Sequence, residues 1–267
     1  MTGRGIHLFD HRAASVVENP DNLHNPYNSA PTTPEQHANP SFVPSPQFWV
    51  SCAEIDWPQE LNWVLAFRDI ARPTDARTTI AALVPKTATA NTLPVLYPDT
   101  DASIEPFRAH APLWVANVCA FAFDFVARAK VQSTHLNWYI VEQLPVVPAD
   151  HYAHRFGART ATQIIREDVL HLTYTAHDMA AFARDQGYDG PPFCWDEEDR
   201  LRRRARLDAV FFQLYGLDRD TANYVLGTFP IVKREEEVRW GRFRSRDLIL
   251  GYMSALAAGA PDADVAG

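Results

Sequence analysis

A chain of 267 residues that is 46% hydrophobic is long enough to bury one large core or two modest ones. Its formal net charge of -8 argues against a surface that is basic throughout, because affinity for phosphate comes largely from lysine and arginine, although a local basic face is compatible with it. The longest uncharged apolar stretch, residues 111–123, is too short to span a bilayer, and no apolar signal core follows Met1, so we predict a cytoplasmic protein that is not bound to a membrane.

The first hundred residues predict loops and short strands. Residues 1–60 are rich in Pro, Asn, His and Ser, which favours loops, with strands only at "GIHLF" and "FWVSCAEI". Further along, "WVLAFRDIA" and "NTLPVLY" predict two more strands. The stretch "TDARTTIAALVP", which lies between them, predicts a short capped helix.

The remaining chain is increasingly helical. Residues 111–130 predict a helix that is buried on most sides, and residues 136–147 a return segment. Residues 160–185 predict an amphipathic helix that stops at Gly187 before the rigid turn "GYDGPPF".

Three more helices are indicated after this turn. The first has acidic residues in its first turn from Asp196, the second has Asp218 as N-cap and Pro230 as terminator, and the last begins at Ser245. The sequence therefore predicts an α/β (α+β) N-terminal half, residues 1–150, with a loop-rich start, and a mostly helical domain of residues 151–267, with the boundary near 148–160.

A metal-dependent enzyme is one hypothesis that the sequence raises. "HLFDH" places His7, Asp10 and His11 within five residues, and in a strand the two histidines share a face from which Asp10 points away. No second cluster has a defined ligand spacing, so we predict no metal site. The cysteines Cys52, Cys119 and Cys194 also lack the paired spacing of a zinc site or redox couple, which predicts reduced thiols.

Five arginines occur in "RLRRRAR", residues 200–206. Asp196, Glu198 and Asp199 each stand four residues before an arginine, which is the favourable order for ion pairs on a helix. A salt-bridged helix face and a phosphate-binding face both remain open. On the same helix, Asp208 is predicted to be a partly buried carboxylate paired with Arg204.

Another basic group surrounds the stretch "FDFVARAKVQSTHLNWYIVEQLPVVP", in which charged and polar residues separate two apolar segments. Its charges fall at the ends of predicted elements, beside hydroxyl and amide side chains, which is the mixture that holds phosphates and contacts base edges. Arg68 directly precedes Asp69, so an internal ion pair is the alternative for that residue. The predicted group consists of Arg68, Arg72, Arg77, Lys86, Arg128, Lys130, Thr134, His135 and Asn137.

Six blocks of the chain follow one another in collinear order: "GIHLFDHRAAS", "FWV", "LAFRDIARPTDARTTIAALVP", "ANVCAFAFDFVARAKVQSTHLNWYIVEQLPVVP", "LTYTAHDMAAFARDQGYDGPPFCWDEEDRLRRRARLDAVFFQLYGL" and "YVLGTFPIVKREEE". Together they resemble the C-terminal target-recognition region of large adenine-specific DNA methyltransferases, the enzymes of restriction-modification and phage-defence systems. The resemblance covers residues 5–252.

This resemblance implies a module that binds double-stranded DNA and leaves catalysis to another domain. In that family a catalytic domain on the N-terminal side binds S-adenosylmethionine through a Gly-rich loop and holds the flipped adenine in an Asn/Asp-Pro-Pro-Tyr/Phe motif. This sequence begins after both, so the resemblance implies a split or truncated protein whose partner is a methyltransferase or nuclease subunit. Two stretches, "NPYN" at Asn25 and "GPPF" at Gly190, imitate the motif, but neither follows an apolar strand and we interpret both as proline-rich turns.

With this resemblance, residues 111–129 become a scaffold helix, residues 136–148 the return segment and residues 131–135 a loop held between them. We therefore predict that Arg128, Lys130, Thr134 and His135 face DNA, and that Arg12, Arg68, Arg72 and Arg77 supply further contacts. Two alternatives remain: a helical interaction subunit that docks through Phe211, Phe212 and Tyr215, and a non-functional remnant that does not bind DNA.

Overall fold

The computed structural model describes residues 1–18, 27–54, 57–58 and 60–265. All strand pairs in this part of the chain are antiparallel. The strands are β1 (Ala14–Glu18), β2 (Tyr27–Pro31), β3 (Trp63–Phe67), β4 (Ala81–Pro85), β5 (Val95–Leu96), β6 (Arg155–Phe156) and β7 (Arg159–Thr160). They form the pairs β1-β2 and β6-β7 and a three-stranded sheet in the order β4-β3-β5.

Helices dominate the second half of the chain, which confirms the predicted α/β half followed by a helical half. The α-helices are α1 (Pro34–Ala38), α2 (Ile104–Cys119), α3 (Phe121–Lys130), α4 (Trp138–Val141), α5 (Ala161–Thr173), α6 (Ala180–Asp185), α7 (Glu197–Leu214), α8 (Arg219–Gly227), α9 (Pro230–Trp240) and α10 (Arg244–Ala257). Short 3-10 helices occur at Gly3–Gly5, Cys52–Glu54, Asp101–Ser103, Ala149–Ala153 and His177–Met179.

The chain divides into two compact units that are both discontinuous in sequence. Unit 1 comprises Met1–Ile70, Ile80–Val115 and Leu170–Trp195, and unit 2 comprises Ala71–Thr79, Ala116–Val169 and Asp196–Gly267. Each unit therefore contains residues from both sides of position 150. The compact units do not follow the single boundary predicted at 148–160, because the chain returns to its earlier unit after that point.

Some predicted elements are present and others take a different form. The strands predicted in "WVLAFRDIA" and "NTLPVLY" are β3 and β5. The strand predicted at "FWVSCAEI" is absent over the described residues 48–54, and "GIHLF" contributes a 3-10 turn and an isolated bridge between His7 and Asp10.

The prediction of a helix at "TDARTTIAALVP" was wrong, because the apolar part of this stretch is the strand β4. Ala81, Ala82, Leu83 and Val84 are all buried, as expected for a strand covered on both faces. A continuous apolar run of this length does not distinguish a buried strand from a buried helix, so the pattern alone could not decide.

The predicted helix 111–130 is broken in two at Ala120, whose backbone is extended with φ -72° and ψ 144°. In a continuous helix the Phe121 N–H would donate to a carbonyl one turn earlier. It instead donates to Asp208 Oδ1 at 2.7 Å, so a residue far along the chain caps the start of α3. Among the described residues no single helix is both long and apolar enough to cross a membrane, and Asp101–Cys119 with Phe121–Lys130 passes that test only as a pair bent by 65°.

The core of unit 1 lies around the three-stranded sheet, in which all five residues of β3 are buried. The Trp63 ring on β3 lies 5.1 Å from the Phe182 ring and 5.4 Å from the Phe107 ring. Its indole Nε1 donates to Asp185 Oδ2 at 2.7 Å, so the polar atom of this buried aromatic is satisfied.

Arg12 is the second organising group of unit 1, and it is fully buried. Its NH1 donates to Asn39 O at 2.9 Å, and its NH2 donates to His37 O at 3.0 Å and to Thr175 O at 3.2 Å. The Arg12 N–H donates to Asp10 Oδ1 at 2.8 Å. One guanidinium thus satisfies carbonyls from separate segments of the chain, and the predicted role of Arg12 as a DNA contact is wrong because the side chain has no exposed surface.

The core of unit 2 is helical. Phe211 and Phe212 of α7 are both fully buried, so the hypothesis that they dock on another subunit is wrong. The Tyr215 hydroxyl donates to Pro145 O at 2.7 Å and accepts from Asn117 Nδ2 at 2.6 Å. Asn117 Oδ1 in turn accepts from the Val147 N–H at 2.9 Å in a buried hydrogen bond, so this network holds the return segment.

Arg12→Met should lower the free energy of unfolding by about 3 kcal/mol or more, because methionine fills a similar volume but leaves buried carbonyls without donors. Urea denaturation followed by circular dichroism measures the change. Arg4→Met is the control, since Arg4 is exposed and should change stability by less than about 0.5 kcal/mol. Equal stability of the two variants would contradict the structural role of Arg12.

Candidate nucleic-acid interface

The Asp124 carboxylate on α3 organises the part of unit 2 that contains most of the predicted contacts. It is fully buried. Its Oδ2 accepts from Arg77 Nε at 2.7 Å, from the Thr78 N–H at 3.0 Å and from the Thr79 N–H at 3.3 Å. Two backbone N–H groups and one guanidinium therefore hold the segment Ala71–Thr79 against α3, and they compensate for the burial of the charge.

Arg77 is a structural partner of Asp124. Its NH2 donates to Cys119 O at 2.6 Å, which satisfies a carbonyl at the C-terminus of α2. The guanidinium carbon lies 4.1 Å from the centroid of the Phe121 ring, a cation–π distance. Since Arg77 is buried, its predicted contact with DNA is wrong.

Arg128 has the same structural role from the last turn of α3. Its NH2 donates to Asp75 O at 2.7 Å and to Ala76 O at 2.8 Å, and its Nε donates to Asp124 Oδ1 at 3.3 Å. The side chain is only 13% exposed, and its guanidinium carbon lies 4.1 Å from the centroid of the Phe229 ring. Its donors are used within the unit, so the expectation that Arg128 faces DNA is corrected.

A group of exposed polar residues lies where this segment meets the loop after α3. The Ala71 N–H donates to Thr134 O at 3.1 Å, which joins the start of the segment to the loop 131–135. We define the basic loop surface as four exposed residues: Arg72, Lys130, Thr134 and His135. In the part of the chain that the structure describes, the side chains of Arg72 and Lys130 have no hydrogen bond or ion pair. Their charges are therefore directed to solvent and are available to an anionic ligand.

The loop 131–135 is fixed at both ends. The Val131 N–H donates to Ala127 O at 2.9 Å, and the Val131 and Leu136 side chains are buried. The His135 N–H donates to Ser133 Oγ at 3.3 Å. Asn137 is exposed at the N-cap position of α4, where its side chain makes no capping hydrogen bond. The exposed loop residues are thus presented by an anchored backbone.

The other two predicted contacts lie in unit 1. Arg68 is half-buried, and its Nε donates to Gly3 O at 2.9 Å and its NH2 to Ile6 O at 2.5 Å. Lys86 is exposed, and its Nζ donates to Pro58 O at 3.3 Å. The structure uses the Arg68 guanidinium to hold the first residues of the chain, whereas the Lys86 ammonium reaches the surface.

The buried Asp208 carboxylate borders the same framework. Burial raises the pKa of Asp208 to about 6, although the nearby Arg77 charge and the hydrogen bond from the Phe121 N–H oppose that shift. Arg204 adds a further favourable charge, although no hydrogen bond or ion pair joins it to Asp208 among the described residues, and its Nε donates to Arg200 O at 3.3 Å. Asp208 therefore links α7 to the start of α3, beside the ion pair of Arg77 and Asp124.

The arginines of "RLRRRAR" form a salt-bridged helix face. Arg202 Nε lies 3.0 Å from Glu198 Oε1, and Arg203 Nε lies 2.7 Å from Asp199 Oδ2. Both pairs have the predicted spacing of four residues. Asp196 has a different role, since its Oδ1 accepts from the Asp199 N–H at 2.7 Å and caps α7.

The residues of "HLFDH" are directed to separate partners. His11 Nε2 lies 2.9 Å from Asp178 Oδ1, whereas Asp10 Oδ2 lies 3.2 Å from His37 Nε2. Over the described ranges there is no group of three or more His, Cys, Asp or Glu side chains arranged to hold a metal ion.

Two exposed aromatic residues beside the basic loop surface in sequence were missed. Trp138 is 45% exposed and Tyr139 is 62% exposed at the start of α4. Aromatic rings on a basic surface are the groups on which unstacked bases pack. The apolar pattern of residues 136–147 predicted a return segment that includes both rings. In the structure they lie on the short helix α4, which follows the N-cap residue Asn137 and leaves both rings exposed.

The two proline-containing motifs have different outcomes. Asn25 and Pro26 of "NPYN" lie outside the described residues. At "GPPF", the Tyr188 hydroxyl donates to Pro191 O at 3.2 Å and the Phe193 ring stacks on His171 with centroids 3.7 Å apart. The side chains of Tyr188 and Phe193 therefore make contacts that hold this turn in place.

Comparison of the chain with protein-family models, with curated proteins and with solved structures finds no match.

Asp124→Asn should lower the free energy of unfolding by about 3–5 kcal/mol, because an amide replaces one carboxylate oxygen and leaves buried guanidinium groups without their counter-charge. Urea denaturation measures this change. Asp150→Asn is the matched control, since Asp150 is exposed in the same unit and should change stability by less than about 0.5 kcal/mol. A loss for Asp124→Asn as small as that of the control would exclude the buried carboxylate as the organising group.

Proposed function

We propose that this protein is a DNA-recognition module that works in the cytoplasm with an adenine-specific methyltransferase or nuclease subunit, as the sequence resemblance implies. The observation that carries the proposal is the basic loop surface of unit 2. Two charged side chains without internal partners, Arg72 and Lys130, lie on segments that a hydrogen bond between Ala71 and Thr134 joins. Hydroxyl and imidazole groups from Thr134 and His135 lie on the same loop.

The chemistry of this surface suits a phosphodiester backbone. Arginine and lysine supply the charge for phosphate contacts, and hydroxyl groups donate to phosphate oxygens or base edges. The loop backbone is anchored by buried residues on both sides, so little ordering entropy would be lost on binding. The small entropy cost supports a binding role for the loop.

In this proposal the methyl-transfer chemistry belongs to the catalytic partner, which would bind S-adenosylmethionine. The strand pairs described here are all antiparallel, whereas nucleoside cofactors bind at the carboxyl edge of parallel strands that lead into helices. This difference supports placing the cofactor on the partner. Flipping a base costs a few kcal/mol, and contacts of the recognition module with the duplex would offset part of this cost.

The direct test replaces the two exposed charges of the basic loop surface. Fluorescence anisotropy with a mixed-sequence DNA duplex should show salt-dependent binding by the wild-type chain between about 50 and 200 mM salt. Arg72→Glu/Lys130→Glu should weaken binding by at least about tenfold at the lower salt concentration and flatten the slope of log K against log salt by about 1.8, since two phosphate contacts are lost.

The matched control is Arg155→Glu/Arg234→Glu, which changes the total charge equally at two exposed arginines of unit 2 on other elements. Its affinity should stay within roughly threefold of wild type, because long-range charge effects are screened by salt. An equal loss in both double variants would show a non-specific charge effect, and an absence of duplex binding by the wild-type chain at low salt would reject DNA recognition by the isolated protein.

A further inference from the structure

The segment Pro261–Val265, which we call the acidic strap, contacts Arg202 and Arg206 of α7 within unit 2. It carries two carboxylates, Asp262 and Asp264, that are 60% and 90% exposed. Pro261 is buried, which anchors the start of the strap. The strap therefore lies on the surface of unit 2, with its first residue buried and its two carboxylates exposed to solvent.

Arginines from α7 and from the β6-β7 hairpin direct NH1 groups at this strap. Arg202 NH1 lies 2.6 Å from Asp264 Oδ1, and Arg206 NH1 lies 3.3 Å from Asp262 Oδ1. Arg159 NH1 also pairs with Asp262, at 2.5 Å. Backbone carbonyls of the strap complete the contacts, since Arg202 NH1 donates to Val265 O at 3.2 Å and Arg206 NH1 to Pro261 O at 3.4 Å.

The other donors of the same arginines have partners outside the strap. Arg206 Nε and NH2 donate to the buried carboxylate of Asp168 at 2.8 and 2.6 Å, and Arg202 Nε donates to Glu198 at 3.0 Å. Burial raises the pKa of Asp168 while the Arg206 and Arg203 charges oppose that shift. These contacts fix the guanidinium planes independently of the strap, so their NH1 groups would keep their direction if the strap left.

A glycine on α10 makes room for the strap to pack against that helix. A Cβ atom at Gly251 would lie 2.4 Å from Val265 Cγ1, so the absence of a side chain at this position makes room for Val265. The strap thus combines one apolar contact with ion pairs that are open to solvent. Exposed ion pairs contribute little stability and are screened by salt.

We propose that the arginine face of α7, made of Arg202 and Arg206 with Arg159, is a second phosphodiester-binding surface, and that the acidic strap occupies it as an internal mimic of phosphate. Asp262 and Asp264 stand two residues apart, at most ~7 Å along an extended chain. That is close to the separation of neighbouring phosphates on one nucleic-acid strand. The ligand class is therefore the backbone of a nucleic acid.

Removal of the strap reverses the sign of the local charge. Outside the strap, the ion-pair network joins five guanidinium groups to four carboxylates, which leaves one excess positive charge. These groups are Arg159, Arg202, Arg203, Arg206 and Arg244 with Glu167, Asp168, Glu198 and Asp199. The two strap carboxylates change this balance to one excess negative charge. A phosphate ligand is repelled while the strap is bound and attracted once it is displaced.

The test neutralises the strap without removing it. Asp262→Asn/Asp264→Asn should bind a mixed-sequence DNA duplex more tightly than wild type in an anisotropy titration. The slope of log K against log salt should steepen by about 2, because two or three more phosphates are contacted. Asp99→Asn/Asp101→Asn is the matched control, since these exposed carboxylates have the same spacing and charge but lie in unit 1. Its binding should stay close to that of wild type.

Two further variants assign the gain to the arginine face. Adding Arg202→Gln to the strap variant should remove most of the gain in duplex affinity, because it deletes a guanidinium group of the arginine face. Arg202 is suited to this test because it is partly exposed and its loss leaves the Asp168 contacts intact. Adding Arg72→Glu/Lys130→Glu should leave the gain in place, so this inference and the proposed function can fail separately.

A chain that ends after Ala260 provides a second release variant. It retains the helix end, where the Gly259 and Ala260 N–H groups donate to Leu256 O and Ala255 O at 3.0 and 2.9 Å. The inference is overturned if both folded release variants bind the duplex no more tightly than wild type, or if their gain is unchanged by Arg202→Gln.

Discussion

The buried carboxylate of Asp124 is the interaction on which the candidate interface depends. A charge that is fully removed from water must be compensated by charged and hydrogen-bonded partners. Arg77, Arg128 and two backbone N–H groups supply them, and by doing so they fix the path of the segment Ala71–Thr79 over α3. The position of the exposed Arg72 follows from this buried set, because it lies next to the point where the segment joins the loop 131–135.

The basic residues of this protein divide into structural and surface groups, and residue type does not distinguish them. Arg12, Arg77 and Arg128 donate to carbonyls and carboxylates inside their units, while Arg72 and Lys130 reach solvent. The carbonyl partners of Arg12 come from residues 37, 39 and 175. Such distant partners leave no local signal, which is why residue type and position predicted surface roles for Arg12, Arg77 and Arg128.

The elements that could be predicted are those with a local cause. The acidic first turn of α7, the N-cap of α8 and the strand β3 follow from neighbouring residues, and each is present. The break at Ala120 depends on Asp208, which caps α3 from a remote part of the chain, so the uninterrupted apolar pattern of residues 111–130 concealed it. The spacing of four residues left a salt-bridged face and a phosphate-binding face both open for the arginine-rich helix, and the structure contains ion pairs at that spacing. The pairing with the acidic strap was beyond a pattern that considers only spacings of four residues.

The most direct test of the central claim is hydrogen–deuterium exchange with and without a mixed-sequence DNA duplex. If the Asp124 framework presents the DNA-binding surface, the amides of residues 71–79 and 131–137 should become more protected at saturating duplex and low salt, and this protection should disappear at about 0.2 M salt. Duplex binding that protects other parts of unit 2 and leaves these two segments unchanged would contradict the account.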